Sequence, residues 1–393
     1  MVSGAPLPQP IPPAQLRLTR LDLTNFRSYA SLTWRPASRM VAIFGPNGSG
    51  KTNLLEAVSL LVPGRGLRGA RISELVRRGE DNLAWAVAAR FTTPLAETEI
   101  GTGTPPEGPS ERRVFRLDGA APRNQAEIAG RIAAVWLTPQ MDRLFLEGAS
   151  GRRRFLDRLV FALEPGHARE IAAHETAMAN RNRLLVEART DPGWLAALED
   201  QMARHSVAAT VARATLVTRL NTAMLTAGAA NFPAARISLA CPIADRLAST
   251  PALEAEDWLR RGLATNRARD AAAGSSSLGA HRADMALADA ASGLPASQAS
   301  TGQQKALLIG TILAHATVIE QARGFAPLLL LDEPAVHLDP ARRAALFDAL
   351  SHLRAQVLLT GTDAETFLTL AETAEGLQAG NGELRADPRF RPS

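Results

Sequence analysis

Cysteine is all but missing from this chain. One residue, Cys241, stands in 393. That excludes an internal disulfide framework and suits a reducing cytoplasm. Long apolar runs are missing too. None reaches the roughly 20 residues of a membrane-spanning helix, so no membrane association is expected. Residues 1–13 are rich in proline, lack the basic start and apolar centre of a signal peptide, and read as a flexible tail. Lysine is nearly absent. Lys51 and Lys305 are the only two, and every other member of the 44 Lys and Arg residues is arginine. A coding bias towards arginine explains that, and it leaves the two retained lysines conspicuous. Charge of one sign is not in great excess: a net +5 is mild for this length. The balance of 46% hydrophobic and 21% charged residues is that of a globular chain with a sizeable core, in one large or two smaller domains.

What the chain does have is organised around GPNGSGKT, Gly45 to Thr52. The apolar run Met40 to Phe44 precedes it and reads as a buried strand. NLLEAVSLL follows with helical spacing, which predicts a helix over 51–62. Strand, Gly-rich turn, helix is the context a phosphate-binding P-loop requires. Gly45, Gly48 and Gly50 let the backbone bend so that N–H groups face an anion, with Pro46, Asn47 and Ser49 completing the loop. The helix start adds its positive dipole end. Lys51 is spaced to reach the β- and γ-phosphates, and Thr52 to offer a hydroxyl to Mg²⁺. Asn53 is grouped with the loop as a nucleotide contact.

Around this loop the chain alternates in character. Residues 16–34 read as two strands about a turn at Asn25 to Arg27. There Arg27 either reaches a nucleotide or is a solvated turn residue. The basic loop PGRGLRGAR follows from Pro63. AWAVAARF and RRVFRLDG suggest an antiparallel sheet, with a polar hairpin loop from Thr98 to Ser110. AAVWLTPQ is a buried strand ending in Gln140, which could meet Mg²⁺ or an attacking water. GRRRFLDRLVFAL is a helix headed by Arg152, Arg153 and Arg154 with Leu156, Leu159, Val160 and Leu163 on its apolar face. Residues 164–273 read as interrupted antiparallel helices, and Ala273 to Ser277 as a flexible join. A helix is expected from about Gly302, another from Pro340 with Asp339 as its cap, and a third over 364–372; the last residues read as frayed.

Two further stretches carry chemistry. APLLLLDEP is an aliphatic strand ending in two carboxylates. Asp332 at its edge would hold Mg²⁺, and Glu333 would polarise the water that attacks the γ-phosphate. Ser300-Thr301-Gly302-Gln303-Gln304 is a small, hydroxyl-bearing loop at a helix start, either a phosphate nest or an ordinary cap.

In order, the P-loop, the strand-end Gln140, the STGQQ loop, LLLLDEP and HLD resemble the motifs of ABC-type ATPases. That resemblance implies ATP and Mg²⁺ as cofactors. It also implies a homodimer formed on ATP, with Ser300 and Gly302, beside Gln303, touching a γ-phosphate in trans and Asp339 lining the seam. The flanking blocks narrow it. LDLTNFRSYASLTW, GKTNLLEAVSLL, PQMDRLFLEGASGRRRFLD, GAHRAD and STGQQKALL resemble the RecF family of DNA replication and repair proteins. The resemblance spans most of the chain outside the helical insertion and the termini. Some positions depart from the family pattern: Gln140 stands where an acidic residue is usual, and Ala280 and Ala283 stand where Pro and Asp are common. His281 and Arg282 therefore receive a structural role only.

The expected fold is α/β, an ABC/SMC-like P-loop ATPase head with an inserted α-helical lobe. The ATPase domain would join 14–150 to 275–393, and the insertion would be 151–274. The resemblance implies a slow, DNA-dependent ATPase that binds gapped or single-stranded DNA in recombinational repair and the SOS response, with a RecR-type mediator as partner. Arg65, Arg68 and Arg152 to Arg154 are candidate DNA contacts, and Thr362 a candidate γ-phosphate sensor. The alternative is an ABC-type ATPase of a transport or mechanochemical complex with no DNA role, which a membrane partner and continuous turnover would reveal.

Overall fold

The structure is a computed structural model that describes residues 15–392 except 78, 80–83, 94–95, 106–111, 188–190 and 227–231. The proline-rich stretch 1–13 lies outside the described residues. Contacts divide the chain into two units, one running to Trp136 with Ile319–Glu333 and Leu350 onward, the other holding Leu137–Val318 and Pro334–Ala349. The expected insertion, 151–274, lies inside the second unit, which extends beyond it on both sides.

The first unit holds two sheets. One has six strands in the order Glu383–Ala386, Ala374–Gly380, Met40–Phe44, Val357–Gly361, Leu328–Leu331, Ala134–Leu137. Met40–Phe44 is buried along its whole length and pairs in parallel on both sides, with Ala42 opposite Leu359 and Gly376. A parallel strand covered on both faces needs a continuous apolar run rather than alternation, and MVAIF, LLLL and VLLTG supply it. The helix Lys51–Leu60 follows directly, with Leu54, Leu55 and Val58 buried.

The other sheet is antiparallel, in the order Tyr29–Trp34, Arg17–Phe26, Ala86–Thr92, Glu97–Gly103, Val114–Leu117. Glu97–Gly103 corrects the expected loop from Thr98. Thr98, Ile100 and Thr102 are buried at alternate positions, and β-branched residues at period two hold a strand despite the polar composition. The rest of that expected loop lies outside the described residues from 106. The C-terminal residues are not frayed either. Ala374–Gly380 and Glu383–Ala386 form a hairpin in the main sheet, and Phe390 stacks on Phe44 at 5.7 Å between ring centres. Over 364–372 the expected helix is one short 3₁₀ stretch, Glu365–Leu370.

The second unit is mostly helical: Ala149–Leu163, His167–Val186, Pro192–Thr226, Pro242–Leu247, Ala252–Thr265 and Arg267–Ala273. It also holds most of Thr301–Arg323 and Pro340–His352. Its core gathers Leu184, Leu198, Met202, Leu259 and Leu263, with Cys241 buried among them. It carries a two-stranded sheet as well, Ala235–Ala240 against Asp284–Asp289. The helical composition of the region concealed the first strand, while the second lies in LGAHRADMALAD, from Leu278, whose alternation reads as strands around a turn. The expected flexible join at 273–277 is packed. Ser276 is fully buried, accepts a hydrogen bond from Arg181 (2.9 Å) and donates to Asn182 Oδ1 (2.7 Å).

Candidate functional site

The P-loop lies where the buried strand Met40–Phe44 ends. Gly45 has φ +152°, and a Cβ there would stand 2.5 Å from the carbonyl oxygen of Ala379. Only glycine lets the turn pass that close to the neighbouring strand. The helix begins at Lys51 with Gly50 as its left-handed cap. The Lys51 ammonium curls back onto the loop, donating to the carbonyl oxygens of Gly45 (2.7 Å) and Pro46 (2.9 Å). Burial pushes its pKa down, and the carboxylates of Glu333 and Asp332 pull it back up. Ser49 Oγ is buried with no hydrogen-bond partner. A hydroxyl left unpaired in this turn is free to donate to an anion.

Asp332 follows the end of Leu328–Leu331 and takes two hydroxyls on one oxygen. Thr52 Oγ1 donates to Asp332 Oδ1 at 3.0 Å, and Thr360 Oγ1 donates to the same atom at 2.7 Å. Thr360 in turn accepts from the backbone N–H of Glu333 at 2.9 Å. Glu333 sits at φ +50°, a left-handed conformation uncommon for a non-glycine residue and so held by its surroundings. Thr52, Asp332, Thr360 and Glu333 thus form one chain of contacts beside Lys51. No group of three or more His, Cys, Asp or Glu that could hold a metal ion occurs among the described residues. A cation here would take two hard oxygens from the protein, Thr52 Oγ1 and an Asp332 carboxylate oxygen, and the rest from phosphate and water, as Mg²⁺ commonly does.

Sequence reasoning missed Thr360. Thr362, the threonine it did single out, is exposed and donates to Asp363 Oδ2 at 2.9 Å. The available signal was a lone hydroxyl inside the apolar strand VLLTG, fully buried, where a polar group must find a partner.

Asn53 joins a second network. Its Nδ2 donates to Ser28 Oγ (2.9 Å) and its Oδ1 accepts from Arg68 (2.9 Å). Arg27 makes a two-pronged pair with Glu56, 2.8 Å at each prong, and Arg68 reaches the same carboxylate at 3.3 Å. The Glu56 side chain is only 2% exposed. Arg27 is therefore a clasp between the strand turn and the P-loop helix rather than a solvated turn residue. A groove of ≈ 500 Å³ opens here, lined by Ser28, Gly48, Asn53, Arg68, Val76 and Arg77 among others. It is continuous with the phosphate loop through Gly48.

The remaining candidates belong to the second unit. Gln140 is exposed on the 3₁₀ turn Pro139–Arg143. Ser300 and Gln303 cap each other at the start of Thr301–Arg323. The Gln303 N–H donates to Ser300 Oγ (3.3 Å), and the Ser300 N–H donates to Gln303 Oε1 (2.9 Å). A Cβ on Gly302 would stand 2.7 Å from the His337 carbonyl oxygen, so the loop lies tight against the HLD stretch. Asp339 caps the next helix, accepting from the Arg342 N–H at 2.8 Å. Lys305, the second conspicuous lysine, is buried and pairs with Asp142 at 3.2 Å.

The arginines and the GAHRAD block separate cleanly. Arg152 pairs with Asp284 through two 2.8 Å hydrogen bonds, and Arg153 donates to the Ala283 carbonyl at 2.8 Å. Arg154 is exposed. His281 lies 2.9 Å from the Ser276 carbonyl and 3.2 Å from His174, and Arg282 also donates to Ser276 O. That is the structural role expected of them.

Comparison with known proteins places this geometry. A family model described as the RecF/RecN/SMC N terminal domain matches residues 17–383. The chain is similar to a DNA replication and repair protein RecF of Mesorhizobium japonicum, 46% identical over 375 residues, which cover 95% of this chain and 98% of that protein. It is similar to the protein of the same description from Agrobacterium fabrum, 45% identical over 373 residues, 95% and 99% covered. A solved structure described as the recombination mediator protein RecF-ATP in the RecFOR pathway superposes with a TM-score of 0.80 at 22% identity, over 95% of this chain and 100% of that one. That likeness speaks for the fold.

Proposed function

The chain belongs to the RecF/RecN/SMC N-terminal domain family and to its RecF members, and from that premise we propose an ATP-gated DNA-binding protein of replication and recombinational repair. It is a slow ATPase whose turnover depends on DNA, and it acts in the cytoplasm. The observation that carries the reading is the contact chain Thr52–Asp332–Thr360–Glu333 beside Lys51.

Each residue of that chain has a task. Lys51 exchanges the Gly45 and Pro46 carbonyl oxygens for β- and γ-phosphate oxygens, and Ser49 Oγ gains the partner it lacks. Asn53 and the Arg68 groove beside Gly48 hold the nucleoside end. Thr52 and Asp332 present oxygens to Mg²⁺, which when bound neutralises phosphate charge. Glu333 accepts the proton of the attacking water, its direction set by Thr360. The loop with Ser300, Gly302 and Gln303 meets the nucleotide of a second copy, with Asp339 at the seam and Gln140 at the water or metal. Gapped and single-stranded DNA and a RecR-type mediator are the partners of the ATP-bound dimer, in repair and in the SOS response.

Lys51→Ala tests the reading. ATP-driven dimerisation, followed by light scattering, should disappear, and DNA affinity with it. Dimerisation on ATP that survives in this variant sinks the proposal. A wild-type dimer that forms on ATP yet ignores gapped DNA would favour the transport or mechanochemical alternative.

A further inference from the structure

Tertiary structure sorts the arginines that sequence alone left level. Arg68, Arg152 and Arg153 are consumed by Glu56, Asp284 and the Ala283 carbonyl. Arg65 is exposed on the loop after the P-loop helix. It shares a groove of ≈ 520 Å³ with Arg71, Arg113, Phe115 and Gln125. Arg113 stands almost 50 residues away in sequence, just before the edge strand Val114–Leu117. Its guanidinium lies 4.5 Å from the centre of the Phe115 ring and donates to the Gly64 carbonyl at 2.7 Å. No carboxylate is among the described residues that line the groove. Burial lowers the Arg113 pKa only to about 10, so its guanidinium keeps its charge at neutral pH.

We propose that this groove is a binding site for single-stranded DNA, in which Arg65, Arg71 and Arg113 take consecutive phosphates and Phe115 receives an unstacked base. The neighbouring carboxylate, Glu74, is engaged by the Arg71 backbone N–H at 3.2 Å and does not line the groove. Three cations facing one groove repel one another, and a polyanion is the ligand that relieves this. An aromatic ring set among guanidinium groups suits a strand whose bases are free to leave their stack; a duplex offers no such face. Arg113 is fixed from behind by Gly64 and packs on one side of the ring, so Arg113 and Phe115 form a preset platform. The two exposed arginines, Arg65 and Arg71, close on the backbone.

The inference rests on the DNA-binding reading above, and the experiment separates the two. Wild type, Arg65→Ser/Arg71→Ser and Phe115→Leu are titrated with oligo-dT and with a blunt duplex of equal length, with ATP and Mg²⁺, from 50 to 200 mM salt. Nucleotide binding is measured alongside and should be unchanged, because none of these residues touches the P-loop. The double arginine variant should bind oligo-dT at least tenfold more weakly and lose about 1.4 from its log–log salt slope. Phe115→Leu should lose about fivefold or more on oligo-dT and little on the duplex. Wild-type affinity and slope in both variants overturn the site while leaving the DNA-binding reading intact. Equal losses on duplex and single strand overturn the single-strand assignment. A wild type that binds neither DNA overturns the groove and the proposed function together.

Discussion

Thr360→Val is the most informative single change. Valine keeps the shape and removes one oxygen. That oxygen, buried at the end of Val357–Gly361, donates to Asp332 at 2.7 Å and accepts from the Glu333 N–H at 2.9 Å. Without it the Glu333 N–H loses its hydrogen bond to Thr360, and Asp332 keeps the hydrogen bond from Thr52. A lost hydrogen bond between neutral groups costs about 0.5–1.5 kcal/mol, and a hydrogen bond to a carboxylate contributes about 1.5–3 kcal/mol. A loss of about 3 kcal/mol in stability is expected, enough to lower the unfolding midpoint by several degrees and leave the protein folded. Turnover should suffer more. Glu333 sits at φ +50° and loses the contact that holds it there; misplacing a catalytic group by about 1 Å costs about 100-fold in rate. Nucleotide affinity depends chiefly on Lys51 and the loop, and should change less than about tenfold. The assay is phosphate release at saturating ATP–Mg²⁺ with gapped DNA, beside fluorescent nucleotide binding and thermal unfolding. Thr360→Ser restores the oxygen and should restore most of the rate. A folded Thr360→Val protein that hydrolyses ATP within twofold of wild type would refute the argument that Thr360 aims the two carboxylates.

Two other outcomes follow from the geometry. Gly302→Ala places a methyl 2.7 Å from the His337 carbonyl oxygen; the loop must shift, so ATP-driven dimerisation should weaken at least tenfold while nucleotide binding by the monomer is unchanged, read by light scattering and fluorescence titration respectively. Acid should destabilise the protein through its buried histidines. Burial, helped by the charges of His281 and Arg213, lowers the His174 pKa to about 4, and burial lowers that of His315 to about 3. Both start from about 6.5 in the unfolded chain. Between these values the unfolded chain binds the extra protons, so stability is complete above pH 6.5 and falls as pH drops towards 4, by about 3 kcal/mol from His174 alone. Chemical denaturation midpoints at pH 7.5 and 5 check this; His174→Gln should flatten the difference, and equal midpoints in the wild type contradict it.

The sequence by itself determined the parts whose signal is local. A P-loop is a pattern of adjacent residues between a strand and a helix, so Gly45 to Thr52 was legible at once. So were the strands MVAIF and LLLLDE, because a strand buried on both faces must be apolar throughout. The resemblance of the flanking blocks then named a family that the comparisons bear out. Tertiary structure decided whatever depends on partners far apart in the chain. Thr360 touches a carboxylate 28 positions earlier, and Thr52 touches the same carboxylate across 280; no local period records either contact. The C-terminal hairpin hid in a stretch of small and polar residues, where pairing with Met40–Phe44 supplies the order that composition does not. The flexible join became a packed hub because Arg181 and Asn182, 95 and 94 positions away, bury Ser276. Arginine shows the division most plainly. Its charge is written in the sequence, but whether that charge meets Glu56, Asp284 or an open groove depends on which neighbours folding brings, since a guanidinium spends its donors on the acceptors within reach.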